Sequence, residues 1–279
     1  MSLARRRAVD RAVRWGCVGA TAIAVVPLLS VLGYVVHQGA GGLDLAFLTE
    51  LPKPVGEAGG GMGNALLGTL LLLGMACLLG LPVGILAGIY LAEFGDRRFG
   101  KLVRFSADVM TGVPSIVVGL FVYTVLVLTM RRFSAVAGSV ALAILMLPTV
   151  TRTTEELLRL VPGSLREAAL ALGVPQWRAT LKVVLRTAAP GVATGAMLAL
   201  ARAAGETAPL LFTAFSSRFW PEGLDQPIAS LPVQIFTYAV SPYADWHRQA
   251  WAAALVLVVL VLLLNLTARV LTRQRREAR

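Results

Sequence analysis

The chain has 279 residues, of which 57% are hydrophobic before its 27 glycines are counted, and only 15% are charged. Soluble domains carry about 45–50% apolar residues with glycine included and about 25% charged, so a water-soluble fold is excluded: too much apolar surface would have no interior to enter. The net charge of +11 sits in short runs between apolar blocks, which points to membrane topology and away from a nucleic-acid surface.

About 20 apolar residues cross a bilayer as a helix. Six such spans are predicted, at about 15–36, 64–91, 107–130, 134–151, 189–213 and 250–268. The basic residues before the first span resemble the start of a signal peptide. The apolar run that follows is too long for one and no A-x-A site follows it, so it reads as a retained span. The third and fourth spans are separated only by Arg131-Arg132-Phe133, a tight hairpin.

Topology follows from Lys and Arg. Five precede the first span, four lie between the second and third, six fall in residues 152–188 and five from Arg269 onward; the opposite side holds Lys53, Arg131, Arg132, Arg218 and Arg248. Both termini are therefore expected in the cytoplasm of a multi-pass plasma-membrane protein. The chain divides into residues 1–62 (basic arm, first span, outer loop), a core over 63–270 with a cytoplasmic segment at 152–188, and a basic tail at 271–279.

The outer loop at 37–63 is rich in Gly and Pro and should hold little regular structure. The second outer loop, 214–249, is rich in aromatics: Phe215, Phe219, Trp220, Phe236, Tyr238, Tyr243 and Trp246. Most of these suit a belt at the membrane interface; a re-entrant segment over a pathway is the sharper alternative.

Residues 152–188 are too organised for a plain loop. Ser164-x-x-Glu167 is a capping box that predicts a helix start. Gly173 ends that helix in the left-handed conformation. Leu165, Ala168, Ala169 and Leu172 lie on one face. Pro175 suits the first turn of a second helix over 175–186. A short amphipathic helix at the membrane surface is a shape suited to a groove on a cytoplasmic partner.

In the fifth span, Arg202 and Glu206 are four apart and share a helix face. Ions at this depth normally face protein or a wet pathway. Pro209 leaves the Gly205 carbonyl without its helical donor, so 202–209 reads as a loosened polar point in an apolar helix. Either the two charges form a structural ion pair, or Arg202 offers a planar donor fork to an oxyanion in transit while Glu206 tunes it. A Glu beside the Arg favours phosphate, which keeps a proton to donate, over sulfate. Thr207 adds a hydroxyl. Pro82 and Pro114 should kink the second and third spans. Arg104 and Asp108 are expected to pair at the surface. Gly95-x4-Gly100-Lys101 matches part of a phosphate-binding loop but lacks the Ser/Thr and the strand–loop–helix setting. The chain thus reads as no enzyme. Cys17, Cys77, His37 and His247 form no metal spacing.

Glu167-Ala168-Ala169, three residues, Gly173, nine residues and Val183-x-Leu185 resemble the EAA loop of binding-protein-dependent ABC importer permeases, with Arg186 where that pattern has Pro. Gly112-Val-Pro-Ser-Ile-Val-Val-Gly119, Ala201-Arg-Ala-Ala-Gly-Glu-Thr-Ala-Pro209 and Gln226-Pro-Ile-Ala-Ser-Leu-Pro232 are similar to the PstA-type permeases of phosphate importers. The resemblance spans residues 62–270. It implies an all-α membrane protein of six spans with the type I importer permease (MetI-like) fold. It also implies a partner permease, two ATPase subunits that carry the ATP and Mg, an outer phosphate-binding protein, and no cofactor on this chain. The coupling residues would be Glu167, Ala168, Ala169 and Gly173, the pathway residues Arg202, Glu206 and Thr207, and the hinges Pro114, Gly205 and Pro209. A permease for sulfate, molybdate or phosphonate, or a proton-coupled carrier using Glu206, are the alternatives.

Overall fold

A computed structural model describes residues 3–55, 57, 59–95 and 97–277. Eleven helices follow one another among them: α1 Leu3–Ala40, α2 Leu45–Thr49, α3 Gly63–Phe94, α4 Arg98–Gly112, α5 Ser115–Met130, α6 Ala135–Arg159, α7 Gly163–Ala171, α8 Gln176–Ala204, α9 Ala208–Thr213, α10 Leu231–Ala239 and α11 Ala244–Glu277. No strand is present among the described residues. Five helices are long and apolar enough to cross a membrane, and six if the bent pair α4–α5 counts as one span.

The fold is built on α3 against α6. Gly80, Gly84 and Gly88 recur every four residues along α3 and form its contact stripe. A Cβ on Gly84 would stand 2.8 Å from Val150, and one on Gly88 2.7 Å from the Thr151 carbonyl. Lipid tails do not drive helices together, so close backbone approach through small residues must do it. Gly191 and Gly195 of α8 meet Leu157 and Thr153 of α6 in the same way. Around this seam Leu72, Ala76, Leu142, Met146, Val150, Ala199, Ala203 and Leu210 form the main apolar cluster.

Four expectations need correction. The third span is no gently kinked helix: α4 stops at Gly112, and α5 leaves Pro114 at a bend of 107°. Pro114, at the α5 N-cap, can donate no hydrogen bond back into α4. The fourth span is longer than 134–151, because α6 runs through Pro148 to Arg159. The second cytoplasmic helix and the fifth span are one rod: α8 starts after Pro175 and continues to Ala204, with a π turn at Thr180–Val184. It does not reach 213, since it breaks at 205–207 and restarts as α9. The hairpin between α5 and α6 is as expected, with Arg131 left-handed at φ 55° and the Ser134 hydroxyl accepting from Ala137 N–H.

The outer loops differ from each other. Among its described residues the first holds the end of α1 and the short α2, capped by Asp44 accepting from Phe47 N–H at 2.6 Å. The second folds inward. Ile228, Ala229, Ser230 and Leu231 are buried; Ser230 is extended at the N-cap of α10, which starts at Leu231. Backbone bonds from Ile228 to Ala214 and from Ala135 to Gln226, with Leu231 N–H donating to Thr69 Oγ1, hold the segment in place. Tyr238 is buried and stacks on Trp246 at 4.2 Å. Phe215, Phe219, Trp220, Phe236 and Tyr243 stay exposed, as an interfacial belt requires.

Candidate functional site

Two places concentrate polar chemistry. The first is the break between α8 and α9. Gly205 N–H donates to the Arg202 carbonyl at 3.1 Å and Glu206 N–H to the Ala203 carbonyl at 3.2 Å. The last turn thereby tightens to i→i+3 bonds, a common helix ending. Thr207 stands at the α9 N-cap without a side-chain cap bond, and Pro209 occupies the first turn, where its missing N–H costs nothing.

Arg202 and Glu206 are brought together, but loosely. Arg202 Nε lies 3.7 Å from Glu206 Oε1, and the side chains are 57% and 16% exposed. That distance is beyond a hydrogen bond. Among the described residues the guanidinium makes no other polar contact, so its donor fork remains open to a ligand. Thr207 is part-buried on the same turn.

The two broken helices meet here. A Cβ on Gly119 of α5 would stand 2.6 Å from Pro209 Cα of α9. One turn before Gly119 lies the Pro114 break, and one turn before Pro209 lies the Gly205–Thr207 break. The expected hinge residues Pro114, Gly205 and Pro209 thus belong to one junction. Irregular backbone at membrane depth is tolerated where it is buried in protein or lines a cavity.

The second place is α7. Its end is a Schellman motif. Gly173, at φ +76°, donates to Leu170 at 2.9 Å, and Val174 donates to Ala169 at 3.1 Å. Its start is not the expected capping box. Pro162 is the N-cap, the helix begins at Gly163, and no side-chain cap bond forms. Proline's fixed φ sets the entry, which leaves Ser164 inside the first turn. Of the predicted apolar face only Ala169 is buried; Leu165, Ala168 and Leu172 are exposed, Leu172 at 84%. Glu167 is exposed too, and Trp177 adds a further exposed apolar side chain beside them.

An ionic cluster beneath α7 was missed by sequence reasoning. Glu155, 2% exposed, receives Arg104 Nη2 at 2.7 Å, Arg152 Nη1 at 3.0 Å and Arg159 Nη2 at 3.2 Å. Arg152 also reaches Asp108 at 3.0 Å. The expected Arg104–Asp108 surface pair is therefore replaced by two cross-helix pairs. The residues run antiparallel along α4 and α6, so each finds its partner on the other helix. The spacing Arg152-x2-Glu155-x3-Arg159 was a readable signal of shared helix face, but ending the span at 151 hid it.

Comparison with known proteins fits this architecture. Residues 80–277 match the family described as "Binding-protein-dependent transport system inner membrane component". A phosphate transport system permease protein PstA of Yersinia pestis is 50% identical over 251 residues, 90% of this chain and 85% of that protein. One from Xylella fastidiosa is 50% identical over 238 residues, 85% of this chain and 83% of that protein. A structure of the MetNI methionine ABC transporter in an inward-facing conformation is similar in fold, with a TM-score of 0.61 at 21% identity, covering 76% of this chain and 96% of that one. Membrane helices, broken spans and family match agree: the chain belongs to the binding-protein-dependent transport system inner membrane component family.

Proposed function

We propose that this chain is a permease subunit of an ATP-driven importer of inorganic phosphate. Phosphate crosses at the interface with a second, homologous permease, past the α8–α9 break. Two ATPase subunits sit below the pair of permeases, one of them docked on α7 of this chain, and an outer binding protein delivers the ion. Both termini lie in the cytoplasm. ATP and Mg belong to the ATPases; this chain supplies the pathway and the lever.

The observation that carries the reading is Arg202, an intramembrane guanidinium at a helix break whose only ionic contact among the described residues is long. Intramembrane charge is costly and normally serves a pathway or a buried pair. An open planar fork suits an oxyanion. Glu206 accepts a hydrogen bond from the hydroxyl that phosphate retains at neutral pH. Weak binding is adequate, since an ion held tightly in a pathway does not leave it. The exposed apolar face of α7 supports the docking role, because a short helix with Leu165 and Leu172 in water is suited to a protein groove.

The test is uptake of labelled phosphate and labelled sulfate by a permease-deletion strain carrying this chain. Phosphate uptake that is lost with the cognate ATPase is expected. Recovery of sulfate uptake alone would make it a permease for another oxyanion. Phosphate uptake that survives without the ATPase and stops with an uncoupler would make it a proton-coupled carrier.

A further inference from the structure

One guanidinium joins α7 to the cytoplasmic ends of two long helices. Arg166 Nη2 donates to the carbonyl of Leu158, in the last turn of α6, at 3.0 Å, and lies 3.3 Å from Glu93 Oε1, in the last turn of α3. The α6 link merely reinforces a covalent neighbour, since α7 follows α6 after three residues. The α3 link is different: Arg166 and Glu93 are far apart in sequence, and α7 otherwise packs on the start of α8.

Glu93 is an odd residue in this position. A carboxylate near a helix C-terminus opposes the helix dipole, and this one is 93% covered, with 7% of its side chain exposed. Burial without a partner would be severely unfavourable. Arg166 supplies the compensating charge and, in the same stroke, adds a shorter bond to the Leu158 carbonyl, which accepts the Val161 N–H only at a long 3.4 Å.

The pair is not fully closed. Glu93 Oε1 and Arg166 Nε are both buried without a hydrogen-bond partner. Arg and carboxylate commonly meet through two parallel bonds; here Nη2 approaches Oε1 as an ion pair at 3.3 Å without a hydrogen bond, and the Nε donor is unused. Gly163 and Gly173 bracket α7, and nothing lies within 4 Å of a Cβ built on either, so neither end of the helix is wedged at these glycines. Helix shifts of about 1–2 Å are typical of switching proteins, and one that brings Arg166 Nε onto the Glu93 carboxylate would convert the single contact into a two-bond fork.

We propose that Arg166 and Glu93 form a strut that carries displacement of α7 into α3, loose in this structure and closed when α7 is pressed toward the spans. Because α3 and α6 are locked along their glycine seam, the strut moves them together. Both are positioning residues, and the proposal rests on the reading of α7 as the ATPase docking helix.

The test uses the reconstituted complex of both permeases, ATPases and binding protein in proteoliposomes, with labelled inorganic phosphate. Glu93→Gln should lower phosphate imported per ATP hydrolysed at least tenfold, while ATPase retention on purification and basal ATP hydrolysis stay within twofold of wild type. The charge swap Glu93→Arg with Arg166→Glu should restore import to within about threefold of wild type, which a merely packed pair would not do. Wild-type stoichiometry in Glu93→Gln, loss of the ATPases from that variant, or failure of both variants to insert would each overturn the strut. A wild-type chain that retains no ATPase overturns the strut together with the docking reading, and is told apart because no substitution is present.

Discussion

Gly119 and Pro209 are in backbone contact: a side chain on Gly119 would begin 2.6 Å from the Pro209 Cα. This contact couples the two interrupted helices, α5 and α9, at the level where both spans break. Backbone cannot give way as a flexible side chain can. Gly119→Ala should therefore destabilise the purified protein by about 1–3 kcal/mol, the range for overpacking a filled site, and reduce phosphate uptake. Thermal unfolding in detergent and labelled uptake check it.

Arg202→Gln is expected to reduce phosphate uptake at least tenfold without loss of assembly. The Arg202–Glu206 contact is long and the guanidinium is more than half exposed, so little folding energy depends on it. Arg202→Lys should restore only part of the uptake, because an ammonium lacks the planar fork. Co-purification of the partner permease is the control; its loss in Arg202→Gln would identify a structural pair.

Gly173 is held at φ +76°. Replacing it with a residue bearing a Cβ costs about 1–2 kcal/mol in the left-handed region, and the Schellman bonds at the end of α7 loosen. Gly173→Asp is expected to leave insertion intact while ATP hydrolysis becomes uncoupled from uptake. Glu167→Lys, on the exposed side of the same helix, should behave likewise. The ratio of phosphate imported to ATP hydrolysed measures both.

The α3–α6 seam sets a contrast between two glycines of one helix. Gly88→Leu places atoms against Thr154 and the Thr151 carbonyl, whereas nothing lies within 4 Å of a Cβ on Gly74. Gly88→Leu should therefore abolish folded protein and Gly74→Leu should preserve it. Size-exclusion profiles of the two variants in mild detergent decide this.

The two acidic residues of the α4–α6 ionic cluster should differ as well. Asp108, 52% exposed, faces one arginine; Glu155, 2% exposed, faces three. Asp108→Asn should change stability by under about 1 kcal/mol, as exposed pairs do. Glu155→Gln should cost about 3–5 kcal/mol, since it leaves partly covered guanidiniums without their counter-charge. Thermal unfolding of both variants gives the comparison.

Much of this was legible along the chain. Apolar length marked the membrane helices, because each must satisfy its backbone internally and so appears as a continuous run. Gly173, Pro114 and Pro209 announced a helix end and two breaks, since their backbone chemistry is local. Arg202 stood out because a charge amid apolar residues needs no partner to be noticed. What lay beyond the sequence was pairing across helices. Arg104 and Asp108 sit at ideal spacing to bond each other, yet each finds a partner on α6. Arg166 reaches Glu93 over a separation no periodicity encodes. The inward fold of Ile228 to Leu231 depends on the open carbonyl of Ala214 and the hydroxyl of Thr69. Local backbone preference and burial in lipid are properties of a segment, so the sequence alone determines them. Which charge meets which depends on where helices cross, and only the packing of the whole chain decides that.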